Sequence, residues 1–427
     1  NGNWKRAIFQ LIIAGEENRK TLNYLNKISK IKIKGFESGK KVFNWTVPKE
    51  WKLKEGYISI NNKKIIDVKN NNLHVASYSK PINKYLSLKK ITEKIFTHNL
   101  KNAIPYRTLY YKNDWAFCAS KTDLENLKKT YLKSKQKKIK AVINSSFQKG
   151  LMNYGEILIP GKSKKEILIS TYICHPSMAN DNLSGIILTI ILARHIKSFH
   201  RLNWSYRIIF IPETIGAISY IKYNKDKLKK IDFGLNISCV GGRGKFSYKQ
   251  SWNKDHFLND IIKEVFRKNN IRIKKSYKFD IHGSDERQFS YNGLGINIPS
   301  IHKDKFYDFK EYHTSLDNLN YVKSKNILKT LNIYLKIIEE IEKQEIYDLT
   351  NKYCEPMLSK FNLYPSTGGA MLPKKNPNQF IDSLLWFLFK TDGKKTLNQI
   401  KNELNLREET IEVLKKTLEE KGLIKQI

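Results

Sequence analysis

The stretch EILISTYICHPSMANDNLSGIILTIILARHI (166–196) sets two apolar segments on either side of a polar loop. EILIST (166–171) has the length and content of a buried strand, and SGIILTIILARHI (184–196) is long enough for a helix. The same alternation continues downstream. YRIIFIP (206–212) reads as a strand and IGAISYIK (215–222) as a helix. FGLNISCV (233–240) reads as a strand and DHFLNDIIKEVFRK (255–268) as a helix. YKFDIH (277–282) and INIPSIH (296–302) follow as strands, and NILKTLNIYLKIIEEIEK (326–343) closes the pattern as a helix. Strands that alternate with helices predict an α/β fold with a mostly parallel sheet covered on both faces.

Upstream, AIFQLIIAG and TLNYLNKI give residues 1–45 a helical spacing. From Val47 the segments GYISI, KIIDV and LHVASY alternate apolar and polar residues between Asn, Lys and Pro, the pattern of short strands. The lysine-rich LKKTYLKSKQKKIK reads as a solvated helix face. Downstream, residues 350–376 are irregular. QFIDSLLWFLFK, TLNQIKNEL and REETIEVLKKTLEEKG then read as three helices, and GLIKQI as a final strand, the order of a winged helix-turn-helix. The expected organisation is a discontinuous α/β unit over 1–46 and 139–348. A β-rich unit over 47–138 is inserted in it, a linker covers 349–376, and a winged helix occupies 377–427.

Composition narrows the function classes. The 427 residues hold 78 Lys plus Arg against 40 Asp plus Glu, a net charge of +38. Only 11 of the basic residues are Arg, and nucleic-acid surfaces favour the Arg fork. A Lys-, Asn- and Ile-rich chain is also what an AT-rich genome writes on any fold. The expected reading helix of the tail carries Arg407, Lys415, Lys416 and Lys421 against Glu408, Glu409, Glu412, Glu419 and Glu420. Its net charge of −1 argues against DNA and for an interaction module, a homo-oligomer contact or a lid. The longest apolar run, near Leu183–Leu192, is too short to span a bilayer, so no membrane partner is expected. Cys118, Cys174, Cys239 and Cys354 are widely spaced with no CxxC pair, which points to a reduced, cytoplasmic protein without a zinc ribbon.

Ligands of open α/β sheets bind beyond the carboxyl ends of the strands. There the sequence places His175 and Asp181, then Glu213, then His282, Asp285 and Glu286, and finally Glu311, His313 and Asp317. Imidazole and carboxylate donors together suit zinc or a related divalent ion. Each residue also has a plain structural reading. Asp181 and Glu213 can cap helices, and Asp285 and Glu286 can face a helix dipole. His74, His98, His195, His200, His256 and His302 have no such context and read as structural or surface residues.

CHPSMANDNLSG, PETIGAISY, GSDERQF and EYHTSLDN resemble a bacterial group of aminopeptidase-like proteins with a winged-helix tail. That group is similar to the co-catalytic zinc aminopeptidases and glutaminyl cyclases. The resemblance implies metal ligands at His175, Asp181 and His313, a general base at Glu213, and a cis peptide between Asp181 and Asn182. It also implies two further carboxylate ligands, where this chain has Thr214 and Ser238. One or two Zn²⁺ ions, a rearranged shell recruiting Asp285, Glu286 or Glu311, and no tight metal all stay open on this reading. The implied function is a metal-dependent hydrolase acting on an amide of a small molecule or short peptide, with a link to surface polysaccharides. His282, Asp285, Glu286 and Arg287 are the candidates for holding the substrate. A degenerate scaffold and a nucleic-acid-binding regulator are the alternatives.

Overall fold

The computed structural model describes residues 13–280, 282–364 and 379–427. Its centre is an eight-stranded sheet in the order Lys32–Glu37, Leu151–Ile159, Ser205–Ile211, Glu166–Tyr172, Ile231–Asn236, Ser300–Lys303, Phe246–Lys249, Lys275–Tyr277. The strand Glu166–Tyr172 lies parallel to both Ser205–Ile211 and Ile231–Asn236. The edge beyond Ser205–Ile211 is antiparallel. All seven residues of Glu166–Tyr172 and of Ser205–Ile211 are buried, as a sheet covered on both faces requires.

Side chains alternate between the two faces. Ile167, Ile169, Ile208 and Phe210 enter one core with the helices Glu16–Ile28, Gly185–Ser198, Phe257–Lys268 and Ser324–Glu342. Leu168, Ile209 and Ile211 enter a second core with the helix Ile215–Tyr223 and with Trp51, Ile58 and Ile143. Each fully buried Ile or Leu contributes about 1.5–3 kcal/mol over an exposed one. The two faces therefore both carry the stability that holds the strand ends in place.

Trp51, Ile58 and Ile143 come from a four-stranded antiparallel sheet in the order Lys63–Asp67, Glu50–Ile60, Ile139–Gln148, Ile82–Leu86. The strand Ile139–Gln148, expected with the large sheet, pairs instead along Glu50–Ile60 and Ile82–Leu86. The chain crosses to the large sheet at Lys149–Gly150. LHVASY forms no ladder. It holds a short turn, Asn72–His74, and isolated bridges from Val75 and Ser77. The expectation of helix throughout 1–45 is corrected after Ile28. KIKGFE is an edge strand whose Gly35 meets Asn153 across the ladder, and the side chain of Leu151 leaves no room there for a Cβ. Most of AIFQLIIAG lies outside the described residues. YKFDIH is a strand only at its first residue.

The tail has the expected helices, Gln379–Lys390, Leu397–Glu403 and Glu408–Glu420, and the strand Ile424–Gln426. That strand pairs with Tyr347–Leu349, and Tyr347 and Leu358 join Leu384, Phe387, Ile400, Ile411 and Leu414 in a separate core. Part of the expected linker is thus wing, while 365–378 lie outside the described residues. Ile411, Leu414 and Leu418 face inward, but Val413 is 51% exposed. Among the described residues no helix is long and apolar enough to cross a membrane.

Candidate functional site

The strand Glu166–Tyr172 ends at Tyr172, and the chain passes through Cys174 and His175 into a loop of buried polar residues, Asn180, Asp181, Asn182 and Ser184. A buried polar loop survives only if its groups are bonded. Asp317 supplies most of this. Its Oδ1 accepts the Asn180 N–H at 2.6 Å and its Oδ2 accepts the Asp181 N–H at 2.9 Å. The Asn182 side chain donates to Thr171 Oγ1 at 2.9 Å and to the Tyr172 carbonyl at 3.0 Å. The peptide between Asp181 and Asn182 is cis.

This frame points Asp181 at His313. Asp181 Oδ2 and His313 Nε2 lie 3.1 Å apart. Both atoms are buried, and neither makes a hydrogen bond. His175, Asp181 and His313 place their donor atoms within 4.8 Å of one another. Burial acts to raise the Asp181 pKa, but His175, His313 and the Tyr172 hydroxyl outweigh it and hold it at about 2. The three sequence-predicted ligands are thus brought together. Two imidazoles and a carboxylate, with buried atoms left unpaired, fit a zinc-type divalent ion.

Glu213 stands at the end of the neighbouring strand. Its N–H donates to Cys174 Sγ at 3.1 Å, its Oε1 accepts Ser284 Oγ–H at 2.6 Å, and its Oε2 lies 3.7 Å from His175 Nε2. Thr214 follows with φ 62°, and its N–H donates to Asp285 Oδ1 at 2.7 Å. Burial, then the charge of Glu213, push the Asp285 carboxyl well above the usual range. Glu286 accepts from Lys249 Nζ at 3.0 Å, from the Ser284 N–H at 2.9 Å and from Asn236 Nδ2 at 3.2 Å. Asp285 and Glu286 are therefore buried supports beneath Glu213. Of the four residues expected to hold substrate, His282 and Arg287 face solvent. Glu311 is outside the grouping and gives its carbonyl to the Thr314 N–H. Ser238 is fully buried, its Oγ has no partner, and its carbonyl accepts His302 Nδ1–H at 2.9 Å.

Four further residues, none of them singled out as a site candidate, shape the site. Tyr172 donates its hydroxyl to Asp181 Oδ1. Tyr106, from the segment beside the small sheet, sits 5.4 Å from the His175 ring and 5.2 Å from the His313 ring. Its N–H donates to the His313 carbonyl at 2.7 Å, next to a bridge between Pro105 and Thr314. Tyr312 stacks on His313 with ring centres 3.9 Å apart. Ser284 holds Glu213. Tyr172 alone had a signal, because it ends the strand that leads into His175.

His302 is structural, as expected, and it sets a pH dependence. Burial pushes its pKa down to about 3. Above pH ~6.5 the ring is neutral in both folded and unfolded chains and costs nothing. As pH falls below ~6.5 the unfolded chain takes up a proton that the folded chain does not, so stability is lost progressively towards pH 3. At ~1.4 kcal/mol per pH unit the loss from this ring is about 2 kcal/mol at pH 5. Urea midpoints between pH 7 and 5 check it, and His302→Gln should flatten that limb.

Comparison with known proteins agrees with this architecture. Residues 4–344 match the family DUF4910, described as a domain of unknown function, and residues 345–426 match a winged helix-turn-helix family. A Clostridium acetobutylicum protein, provisionally named as a polysaccharide biosynthesis protein with an aminopeptidase-like domain, is 38% identical over 396 residues. That alignment covers 91% of this chain and 87% of the relative. A crystal structure of a provisionally named peptidase from C. acetobutylicum is 34% identical, with a TM-score of 0.76, and covers 99% of this chain and 94% of that one. The zinc aminopeptidase of Bacillus subtilis shares the fold at 15% identity and a TM-score of 0.57, over 82% of this chain and 93% of that one. The chain belongs to the DUF4910 family, an aminopeptidase-like α/β fold that carries a C-terminal winged helix.

Proposed function

We propose that the protein is a metal-dependent hydrolase that cleaves an amide bond of a small molecule or short peptide. The observation that carries this reading is the unpaired Asp181 Oδ2 and His313 Nε2 beside His175, with Glu213 next to them. A divalent ion held by His175, Asp181 and His313 would supply Lewis-acid polarisation of a carbonyl. The chain's own residues supply the rest. Ser284 ties down Glu213 Oε1, so Oε2 is the oxygen left to accept a proton from the attacking water. Glu213 then passes that proton to the nitrogen as the C–N bond breaks. Tyr106 and Tyr312 wall the two imidazoles and keep bulk water away. His282 and Arg287, both exposed, are the residues we assign to a charged end of the substrate. The relative's printed name favours an amidated or aminoacylated sugar, and four free thiols favour a reducing compartment such as the cytoplasm. A screen of aminoacyl arylamides with full-length, metal-loaded protein tests the reading. Hydrolysis abolished by a chelator and restored by Zn²⁺ supports it, and no turnover on any arylamide or amino-sugar amide counts against it.

The winged helix invites a second reading as a DNA reader, and its charge opposes that. The helix Glu408–Glu420 opens with Glu408 and Glu409, and its Lys415 is paired with Glu345 at 3.1 Å and also with Glu412. A side-chain bond from Gln399 to the Asp255 carbonyl at 3.1 Å links the tail to the large-sheet unit. We therefore expect duplex DNA, titrated at ~150 mM salt, to bind the full chain no more tightly than the ~10⁻⁴–10⁻⁶ M of non-specific contacts. Sub-micromolar binding that falls steeply with salt would overturn this.

A further inference from the structure

We infer that this centre takes a single divalent ion, because the chain leaves only one oxygen of Asp181 free and offers His175 to one ion at a time. This rests on the reading of His175, Asp181 and His313 as the metal site. Two ions about 3.5–4 Å apart must share donors, commonly through both oxygens of one carboxylate. Asp181 is poorly placed to share. Its Oδ1 already accepts the Tyr172 hydroxyl and lies 3.8 Å from Cys239 Sγ. Only Oδ2 is unpaired, and it faces His313.

A second grouping exists among the described residues, formed by Cys174, His175 and Glu213. It shares His175 with the first, and a neutral imidazole has one lone pair to give. The two groupings are therefore two sides of one ion's surroundings. Cys174 Sγ is already occupied, accepting the Glu213 N–H at 3.1 Å and lying 3.5 Å from His175 Nδ1.

Of the other nearby carboxylates, Asp317 and Glu286 are committed and Asp285 stands apart. Asp317 spends its two oxygens on the Asn180 and Asp181 amides. Glu286 is bound by Lys249, Ser284 and Asn236. Asp285 holds the Thr214 amide through Oδ1, and although its Oδ2 makes no hydrogen bond, it lies outside both groupings. Thr214 and Ser238 carry no carboxylate. The inventory is two imidazoles and Asp181 Oδ2, with Glu213 Oε2 beside them as the base. That satisfies one dication, whereas a second would sit buried without compensating charge.

The test is metal stoichiometry on the full chain. Protein stripped with a chelator is titrated with Zn²⁺ by calorimetry, and metal per chain is measured after dialysis. One ion per chain in a single step is expected. Asp181→Asn and the half-exposed His313→Ala should each weaken binding at least about tenfold, since even outer partners of metal ligands are worth 10–100-fold. Far-ultraviolet circular dichroism of both variants confirms that they fold. Two ions per chain, both sensitive to Asp181→Asn, would overturn the single-ion inference and leave the hydrolase reading standing. No ion, or one indifferent to both substitutions, would overturn both.

Discussion

Glu213→Gln is expected to lower turnover by about two to four orders of magnitude, the range supplied by a positioned general base. The substitution keeps the shape of the side chain and removes its ability to take a proton. The contacts around it survive. Ser284 Oγ can still donate to the amide oxygen, and the backbone N–H that meets Cys174 is untouched. Stability should therefore change by less than about 1 kcal/mol, as for a partly exposed polar replacement. Metal content should also hold, because His175, Asp181 and His313 form a group without Glu213. The measurement is kcat and KM on an arylamide cleaved by the parent chain, with metal per chain determined on the same samples. A fall in kcat at constant KM and constant metal identifies proton transfer as the lost step. Unchanged kcat would remove Glu213 from the role.

The largest expected effect on stability lies one layer deeper, at Lys249. Its side chain is 0% exposed and Glu286 is 1% exposed, and the two make an ion pair at 3.0 Å. Asp280 Oδ1 and the His282 carbonyl take the other Lys249 protons, each at 3.1 Å. Lys249→Met deletes one partner and leaves a carboxylate buried without its cation. Such a break costs about 3–5 kcal/mol. Combining it with Glu286→Gln removes the stranded charge and should recover most of that loss, since a buried pair is often nearly neutral against an uncharged replacement. Urea denaturation of the two single variants and the double variant checks this. If the single variants lose less than ~1 kcal/mol, the pair is solvated in a way that its burial contradicts.

Much of the fold was legible because its signals are local. Short, mostly apolar runs such as EILIST and YRIIF have the length and content of strands covered on both faces, and Thr396 with Gln399 spells a capping box three residues apart. The strand Ile139–Gln148 was misplaced because periodicity gives a strand's face and not its partner. Its register against Glu50–Ile60 is set by residues nearly ninety positions upstream. The grouping of His175, Asp181 and His313 was legible through strand ends and motif resemblance together. Tyr106 and Ser284 were not, because a tyrosine in NAIPYRT and a serine in GSDERQF carry no periodicity. What marks them is a contact with a residue far along the chain. The substrate candidates Asp285 and Glu286 look like surface acids in sequence. Glu286 is buried against Lys249 of the strand Phe246–Lys249, and Asp285 against the Thr214 amide.

Asp317 holds the loop that aims Asp181, and 136 residues separate the two. Tyr106 closes on His313 across a still longer stretch. During synthesis a growing polypeptide folds from its N-terminal side as it leaves the ribosome. A nascent chain that has exposed the Gly185–Ser198 helix already carries His175 and Asp181, yet lacks both the third donor and the residue that orients the second. On the proposed reading, ion acquisition would wait until the His313–Asp317 segment has emerged. Partly made chains would then not scavenge metal through this centre, and loading would mark the completion of the α/β unit.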